Sequence, residues 1–183
     1  MKQYKTCSGE LLEGVKVYLS GAIESDPTDG VEWRSKIKRQ CLERGIMLDV
    51  IDPTSKLNWE TKEIGEERET MRKLKEEGNF EELTKKMKKI RRWDLRAVDY
   101  AHFLIAYIHK DIPTWGTVDE CIIAERQKKP IYAIIPGGIK NAPDWAFAVI
   151  NWQDMFTAIE DCVEHLYKLN YGTISLDDRW VII

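Results

Sequence analysis

Glu120 is the residue of this chain that is best placed to carry out chemistry. It ends the run from Gly116 to Glu120 (GTVDE), which the pattern predicts to open a helix running to about Lys128, with Thr117 as its N-cap. The dipole of a helix favours an ionised carboxylate in the first turn, and an ionised carboxylate can act as a nucleophile. A glutamate that only compensates the dipole would give the same pattern, so this feature alone leaves a structural role open.

Further polar groups stand where predicted strands end or where a helix begins. Tyr18 and Ser20 close the first predicted strand, and Asp52 directly follows the second. Asp94 precedes a short predicted helix. A helix N-cap or a surface charge is the structural alternative for Asp94, and a packing role is the alternative for Tyr18. We predict that these groups lie near Glu120.

The elements that position these groups alternate between strand and helix. Short apolar runs predict strands at residues 15–19, 46–51, 102–108 and 130–135, with a short fifth strand at 151–152. Amphipathic spacing predicts further helices at residues 30–44 and 155–169. The alternation predicts a single α/β domain over residues 1–183, a flavodoxin-like or Rossmann-like open parallel sheet of about five strands flanked by helices. Such sheets bind ligands at the carboxyl ends of their strands.

The stretch from residue 57 to 92 differs from the rest because it is dense in lysine, glutamate and arginine. Gly78-Asn79 divides it into two predicted helices. A charged segment of this kind is usually a solvated face, and we interpret it as a helical insertion into the core fold. A lid over the site or an oligomer contact is the alternative.

Composition indicates a small-molecule partner. The 183 residues carry a net charge of -3, with 43% hydrophobic and 32% charged residues, which gives no electrostatic basis for binding nucleic acid or an anionic membrane. No apolar run has the length of a signal peptide or a membrane span, and the four cysteines form no CxxC pair. We therefore expect a cytoplasmic protein whose cysteines are reduced: Cys7, Cys41, Cys121 and Cys162.

Motifs for the common cofactors are missing from the sequence. The chain contains neither a GxGxxG dinucleotide fingerprint nor a GxxxxGK[ST] phosphate loop. His102, His109 and His165 are far apart in the sequence and suit core or surface positions better than a metal site. We expect an activity that needs no cofactor and no metal.

Three short motifs follow one another in an order that is typical of one family. They are Y-x-x-G-x from Tyr18 to Ala22, D-L-x-x-[IV]-x-x-[AD] from Asp94 to Ala101, and G-x-x-x-E from Gly116 to Glu120. Over residues 15–50 and 90–135 the chain resembles the nucleoside 2-deoxyribosyltransferases and the related deoxynucleoside 5′-monophosphate N-glycosidases. The charged insertion lies outside this resemblance.

The resemblance implies a retaining reaction at the anomeric carbon of 2-deoxyribose. Glu120 would attack that carbon and release the base, and the covalent deoxyribosyl-enzyme would then pass the sugar to a second base or to water. Asp94 would bind the base and mediate its proton transfer, and Tyr18 would hydrogen-bond the nucleophile. The implied partners are a nucleoside or nucleotide and a free nucleobase.

Eight further residues are expected to bind the substrate: Ser20, Gly21, Ala22, Ile23, Asp52, Thr114, Gly116 and Asn141. In the transferases a C-terminal asparagine enters the site of a neighbouring subunit. Asn141 or Asn151 falls in that region, so we expect a homo-oligomer, a dimer or larger. Ile23 stands where the transferases have a tryptophan that stacks on the base, and four tryptophans are candidates to replace it: Trp33, Trp59, Trp115 and Trp145.

Two departures from the family bear on the substrate. Thr114 stands six residues before the nucleophile, where the transferases carry an aspartate for the sugar hydroxyls and the hydrolases carry a serine for the phosphate. Glu24 stands where the hydrolases carry an arginine, and its charge would repel a phosphate. We expect a nucleoside 2-deoxyribosyltransferase, with a 2′-deoxynucleoside 5′-monophosphate N-glycosidase and a non-catalytic nucleotide-binding module as the alternatives.

Overall fold

Parallel strands form the centre of the molecule. The structure, a computed structural model, describes residues 10–56 and 63–181. The strands within these ranges are β1 (Lys16–Gly21), β2 (Asp49–Ile51), β3 (Phe103–Tyr107), β4 (Ile131–Ile134) and β5 (Met155–Phe156). They pair in the order β2-β1-β3-β4-β5, and every pair is parallel. This is the strand order of flavodoxin-like sheets, so the predicted open parallel α/β fold is confirmed.

Helices cover both faces of the sheet. Those in the described ranges are α1 (Val31–Glu43), α2 (Glu66–Glu76), α3 (Phe80–Tyr100), α4 (Trp115–Arg126), α5 (Asp144–Val149) and α6 (Ile159–Asn170). One face packs against α1 and α6 through a core that includes Ile37 and Leu166. The other packs against α3, α4 and α5 through a core that includes Val98 and Cys121. Continuous apolar strands suit a sheet that is covered on both faces.

Strand β1 directs its polar side chains to one face of the sheet. Successive residues of a strand point to opposite faces. Leu19 therefore packs in the core with α1 and α6, whereas Tyr18 and Ser20 point to the face that α4 covers. The two hydroxyl groups consequently meet the helix that carries Glu120.

The charged insertion forms a helical hairpin made of α2 and the first half of α3. The predicted break is confirmed, because Gly78 has a positive φ of 72° and the Asn79 side chain accepts a hydrogen bond from the backbone N–H of Glu82 at 3.3 Å. Every residue of α2 is exposed or half-buried. The second half of α3, in contrast, buries Ile90 and Val98 against the sheet.

Helix α4 begins three residues earlier than the predicted N-cap implies. The carbonyl of Thr114 accepts a hydrogen bond from the backbone N–H of Val118 at 2.9 Å, so the helix starts at Trp115. The prediction that Thr117 is the N-cap is therefore wrong. Glu120 lies in the second turn of α4, where the dipole contributes less to holding its charge than in the first turn.

Helix α3 also corrects a prediction about Asp94. The second helix of the hairpin and the short helix expected before β3 are one continuous helix of 21 residues. Asp94 therefore lies inside a helix and is not an N-cap, because the hydrogen-bonded ladder passes through it without a break. Its side chain is free to point toward the sheet.

Two strand boundaries were predicted wrongly. Residues 152–154 form a short 3₁₀ turn, and the fifth strand is Met155–Phe156, paired with β4. β2 starts at residue 49, not at 46, because the N–H of Ile46 caps α1 by donating to the carbonyl of Cys41 at 2.9 Å. Both segments are apolar, and apolarity alone does not separate a strand from the turn beside it.

Cys41, Cys121 and Cys162 are buried and free, as expected of packing residues. Cys7, Trp59 and the first part of the predicted insertion, residues 57–62, lie outside the described residues. None of the helices in residues 10–56 and 63–181 has the length and apolar character that crossing a membrane requires.

Candidate active site

The side chain of Glu120 is held by two hydroxyl groups at the end of β1. The hydroxyl of Tyr18 donates a hydrogen bond to one carboxylate oxygen at 2.8 Å, and the hydroxyl of Ser20 donates to the other. Glu120 is only 8% exposed, at the carboxyl edge of the sheet where ligands bind in this fold. A carboxylate that accepts two hydrogen bonds is fixed in place before any ligand arrives.

Asp94 lies next to the hydroxyl group of Tyr18. The hydroxyl of Tyr18 is 3.4 Å from a carboxylate oxygen of Asp94, so it stands between two carboxyl groups. Since a hydroxyl has a single proton, it donates to one carboxyl group at a time, and the shorter contact goes to Glu120. We refer to Tyr18, Ser20, Asp94 and Glu120 as the carboxylate cluster. All four were predicted from the sequence, and the structure brings them together.

Lys56 and Glu63 extend this cluster and were not predicted. The ammonium of Lys56 lies 2.8 Å from a carboxylate oxygen of Asp94 and 2.6 Å from one of Glu63, and the Lys56 side chain is 1% exposed. It also lies 4.6 Å from the centre of the Trp93 ring. Lysine and glutamate are so common in this part of the sequence that no signal distinguishes these two from their neighbours. The one feature that could have drawn attention to Lys56 is its position shortly after the end of β2.

Burial raises the affinity of the cluster for protons. Burial, with a smaller contribution from the negative charge of Asp94, raises the pKa of Glu120 to about 8. The hydrogen bonds from Ser20 and Tyr18 act in the opposite direction and lower this pKa. Burial also raises the pKa of Asp94 and of Glu63, while Lys56 opposes both changes. The site therefore holds protons that ordinary surface carboxyl groups lose well below neutral pH.

Helix α1 holds the end of β1, from which the following loop starts, in place. The guanidinium of Arg34, which is fully buried, donates to the carbonyls of Leu19 at 3.2 Å and of Gly21 at 2.9 Å. A Cβ atom at Gly21 would lie 2.7 Å from the Trp33 ring. We expected Gly21 to allow close approach of a substrate, but its packing against Trp33 is sufficient to require glycine. Ala22 and Ile23 follow in this loop and are half-buried.

Asp52 was expected to bind substrate, and its contacts are all within the fold. Its carboxylate accepts hydrogen bonds from the backbone N–H of Thr54 at 2.8 Å and from the Lys38 ammonium at 2.7 Å. It also lies 3.7 Å from the Nε atom of Arg34. These contacts explain its lowered pKa and cap the turn after β2. Asp52 supports Arg34 and the loop beneath the site.

Gly116 leaves open space beside Glu120. It lies four residues before Glu120 on α4, and residues with this spacing share one side of a helix. No atom stands within 4 Å of a Cβ built at Gly116, and packing therefore does not require glycine there. Thr114 occupies the N-cap position of α4, but its side chain makes no capping hydrogen bond.

Asn141 contacts its own loop and none of the carboxylate cluster. Its amide donates to the carbonyl of Pro136 at 3.4 Å, across the turn that follows β4. A Cβ atom at Gly137 would lie 2.6 Å from that amide, so the pair fixes the turn. The expected role of Asn141 in a neighbouring subunit stays a prediction.

A cavity of about 630 Å³ lies between the loop after β1 and the charged hairpin. Arg68 of α2 connects the two walls, because its guanidinium pairs with the carboxylate of Asp29 and donates to the carbonyl of Glu24. Glu63 lines this cavity and contacts Lys56, which in turn contacts Asp94, so the cavity adjoins the carboxylate cluster. The hairpin is thus placed beside the site.

The tryptophans proposed to stack on a base differ in exposure. Trp33 is buried and stacks on Tyr107 with ring centres 5.0 Å apart, and Trp145 of α5 is half-buried against the core. Trp115 is 83% exposed at the first position of α4. Of these three, Trp115 is the most exposed.

Comparisons with known proteins give a fold and no family. No protein-family model matches the chain, and no curated protein matches it. The chain is similar to the crystal structure of a conserved protein from Enterococcus faecalis V583, with a TM-score of 0.53 and 14% sequence identity, covering 85% of this chain and 98% of that one. At this identity the similarity supports the fold alone. The chain is an α/β protein with a flavodoxin-like sheet.

Proposed function

We propose that this protein is a nucleoside 2-deoxyribosyltransferase in which Glu120 is the nucleophile. The observation that carries the proposal is the geometry around Glu120. Two hydroxyl groups orient its buried carboxyl group at the ligand-binding edge of the sheet, and a second carboxyl group, Asp94, lies on the other side of Tyr18. A fixed nucleophile beside a group that can move a proton is what cleavage of an N-glycosidic bond requires.

In the first half of the reaction, an oxygen of the Glu120 carboxylate bonds to the anomeric carbon of the deoxyribose. The bond from that carbon to the base nitrogen breaks, and its electron pair leaves with the base. Asp94 delivers a proton to the departing base, and burial, which raises its pKa, favours the protonated form that this step needs. The positive charge that develops on the sugar is stabilised by the adjacent carboxylate.

In the second half, a nitrogen of another nucleobase attacks the anomeric carbon on the face that the first base left. The ester bond to Glu120 breaks and returns the electron pair to the carboxylate, while Asp94 takes up the proton lost by the incoming base. The hydroxyls of Tyr18 and Ser20 then donate hydrogen bonds to the released carboxylate again. Two displacements on one carbon retain its configuration.

Burial supports transfer over hydrolysis. Glu120 is 8% exposed, so access of bulk water to an ester at this position is restricted. The cavity that Glu63 lines is large enough for a nucleobase, and Met71, Leu83 and Met87 supply apolar surface to it. A bound acceptor base would then compete well with water.

A second candidate is the N-glycosidase that acts on 2′-deoxynucleoside 5′-monophosphates. One observation favours it: Thr114 stands at the N-terminus of α4 with a hydroxyl that makes no capping hydrogen bond. A hydroxyl and free backbone N–H groups at a helix start suit a phosphate. The acidic side chain of Glu24 on the opposite loop opposes this choice.

A product analysis tests both candidates. The protein is incubated with 2′-deoxynucleosides and, separately, with their 5′-monophosphates, each with and without an excess of a different free base, and the products are separated by chromatography. A new nucleoside that forms only with the acceptor base is the expected result. Free base with deoxyribose phosphate would support the second candidate. Nucleoside binding without any base release would overturn both and leave a binding module.

A further inference from the structure

Lys56 is a buried cation between two carboxyl groups. Its side chain is 1% exposed, and its ammonium contacts Asp94 at 2.8 Å and Glu63 at 2.6 Å. Burying a lone ammonium is costly, so the contacts with these two carboxyl groups offset the cost of placing the lysine here. The chain therefore holds three ionisable groups in contact at the edge of the carboxylate cluster.

The two carboxyl groups that share Lys56 have different surroundings. Asp94 is 13% exposed at its side chain and contacts the Tyr18 hydroxyl, whereas Glu63 is 19% exposed and lines the cavity beside the hairpin. One ammonium balances one negative charge, so the arrangement favours one ionised and one protonated carboxyl group. The position of that proton decides whether Asp94 is an acid or a base.

We propose that Lys56 is a positioning residue for the proton-transfer step, and that with Glu63 as its second partner it fixes the carboxyl group of Asp94 and controls whether Asp94 carries a proton. This inference rests on the proposed function, because the proton concerned is the one delivered to the leaving base. It assigns a role to two residues that lie outside the motifs by which the site was predicted.

Among the described residues, charged and titratable groups from several elements surround Asp94 and together set its protonation. Tyr18 approaches from β1, Glu120 from α4, and Arg34 acts from α1, while Lys56 and Glu63 come from the segment after β2. Lys56 stabilises the ionised form of Asp94, and Glu63 stabilises the protonated form by repulsion. Removing Lys56 and removing Glu63 should consequently change the protonation of Asp94 in opposite directions.

This opposition gives a test that does not depend on turnover. In the full-length protein with ¹³C-labelled aspartate and glutamate, the carboxyl signal of Asp94 is assigned by its loss in Asp94→Asn and titrated by NMR. We expect its titration midpoint to rise by about one pH unit in Lys56→Met and to fall in Glu63→Gln. Lys56→Arg, which keeps the charge, should stay near the wild type. Lys85→Met, at an exposed lysine of the hairpin, serves as the matched control.

Kinetics of base exchange complete the experiment. Asp94 must be protonated to act as the acid, so activity is lost at high pH as it ionises, and this limb should move up in Lys56→Met and down in Glu63→Gln. We expect kcat to fall at least about tenfold in Lys56→Met, with a smaller change in KM and partial recovery in Lys56→Arg. Thermal unfolding checks that each variant is folded.

The outcomes separate this inference from the proposed function. An active wild type whose Asp94 titration is the same in both variants would overturn the role of Lys56 and leave the proposed function standing. A wild type that exchanges no base would overturn the proposed function and the role of Lys56 in it together, even where the NMR midpoints shift. Loss of activity in Lys56→Met without a change in the pH profile would show that Lys56 only stabilises the local structure, and it would also overturn the inference.

Discussion

The carboxylate cluster and the charged hairpin are neighbours in the fold, connected through Glu63 and Lys56, and they are built by different means. Tyr18, Ser20 and Glu120 are buried and stand on elements that pack in the sheet core. The hairpin, α2 with the first half of α3, is exposed and held by surface ion pairs, of which Arg68 with Asp29 joins it to the loop after β1. Exposed pairs contribute about 1 kcal/mol or less, whereas core packing fixes a side chain firmly. Rate should therefore depend on the cluster and affinity on the hairpin.

The largest effect is expected for Glu120→Gln, which removes the nucleophile and keeps its volume. Base exchange should fall at least about a thousandfold. Glu125→Gln, at an exposed position on the same helix, should leave it unchanged. Residual exchange at the wild-type rate in Glu120→Gln would contradict the assignment, as would normal formation of a covalent sugar adduct by mass spectrometry.

The same variant should also change how the stability of the protein depends on pH. Folding raises the pKa of Glu120 from 4.5 to about 8, so the folded state binds this proton more tightly, and its contribution to stability is lost as the pH rises from 4.5 through 8. Glu120→Gln does not titrate. We expect its free energy of unfolding to match that of the wild type near pH 4 and to exceed it by roughly 3 kcal/mol or more at pH 9, as measured by chemical denaturation.

Tyr18→Phe should have the next largest effect. The variant loses the hydroxyl that orients Glu120, and kcat should fall about tenfold to a hundredfold with little change in KM. That hydrogen bond also lowers the pKa of Glu120, so without it the pH at which activity first appears should move upward. Steady-state pH profiles measure both, with Tyr167→Phe on the far helix α6 as the control. A rise in KM alone would place Tyr18 in substrate binding.

Gly116→Val tests the open space above Glu120. Because a Cβ atom at this position meets no neighbour, the melting temperature should change little, but the added methyl groups extend into the open space on the side of α4 that carries Glu120. We expect kcat/KM to fall about tenfold, and less in Gly116→Ala. Unchanged activity in Gly116→Val would mean that the substrate approaches Glu120 from another side.

The smallest effect is expected for Arg68→Gln in the hairpin. It breaks the contacts to Asp29 and to the carbonyl of Glu24, which connect the two walls of the cavity. KM should rise about threefold with kcat unchanged, since the pair is partly exposed and weak. Lys85→Gln, in an exposed pair within the hairpin, should change neither. A fall in kcat instead would show that the hairpin takes part in the chemical step, and the contrast between the two regions would not hold.

The parts of the site that could be predicted are those with strong local signals. Tyr18 and Ser20 follow an apolar strand, and Glu120 follows a glycine at a helix start, so their common position at one edge of the sheet could be deduced. Boundaries were less accurate: α4 starts at Trp115, and Asp94 lies within α3. Neither error changes which face the side chains occupy, because helical spacing is preserved when the end of a helix moves.

The sequence by itself determined the order of strands and helices and the parallel sheet, since these depend on apolar periodicity and on glycine and proline between elements. Only the tertiary structure decided which lysine and glutamate side chains reach the site. Lys56 and Glu63 are of the same residue types as the exposed residues of the hairpin, and only the fold brings Lys56 between Asp94 and Glu63. Ion pairing of this kind depends on the distance in space between residues that are far apart in the chain, and the local sequence around each residue does not predict that distance.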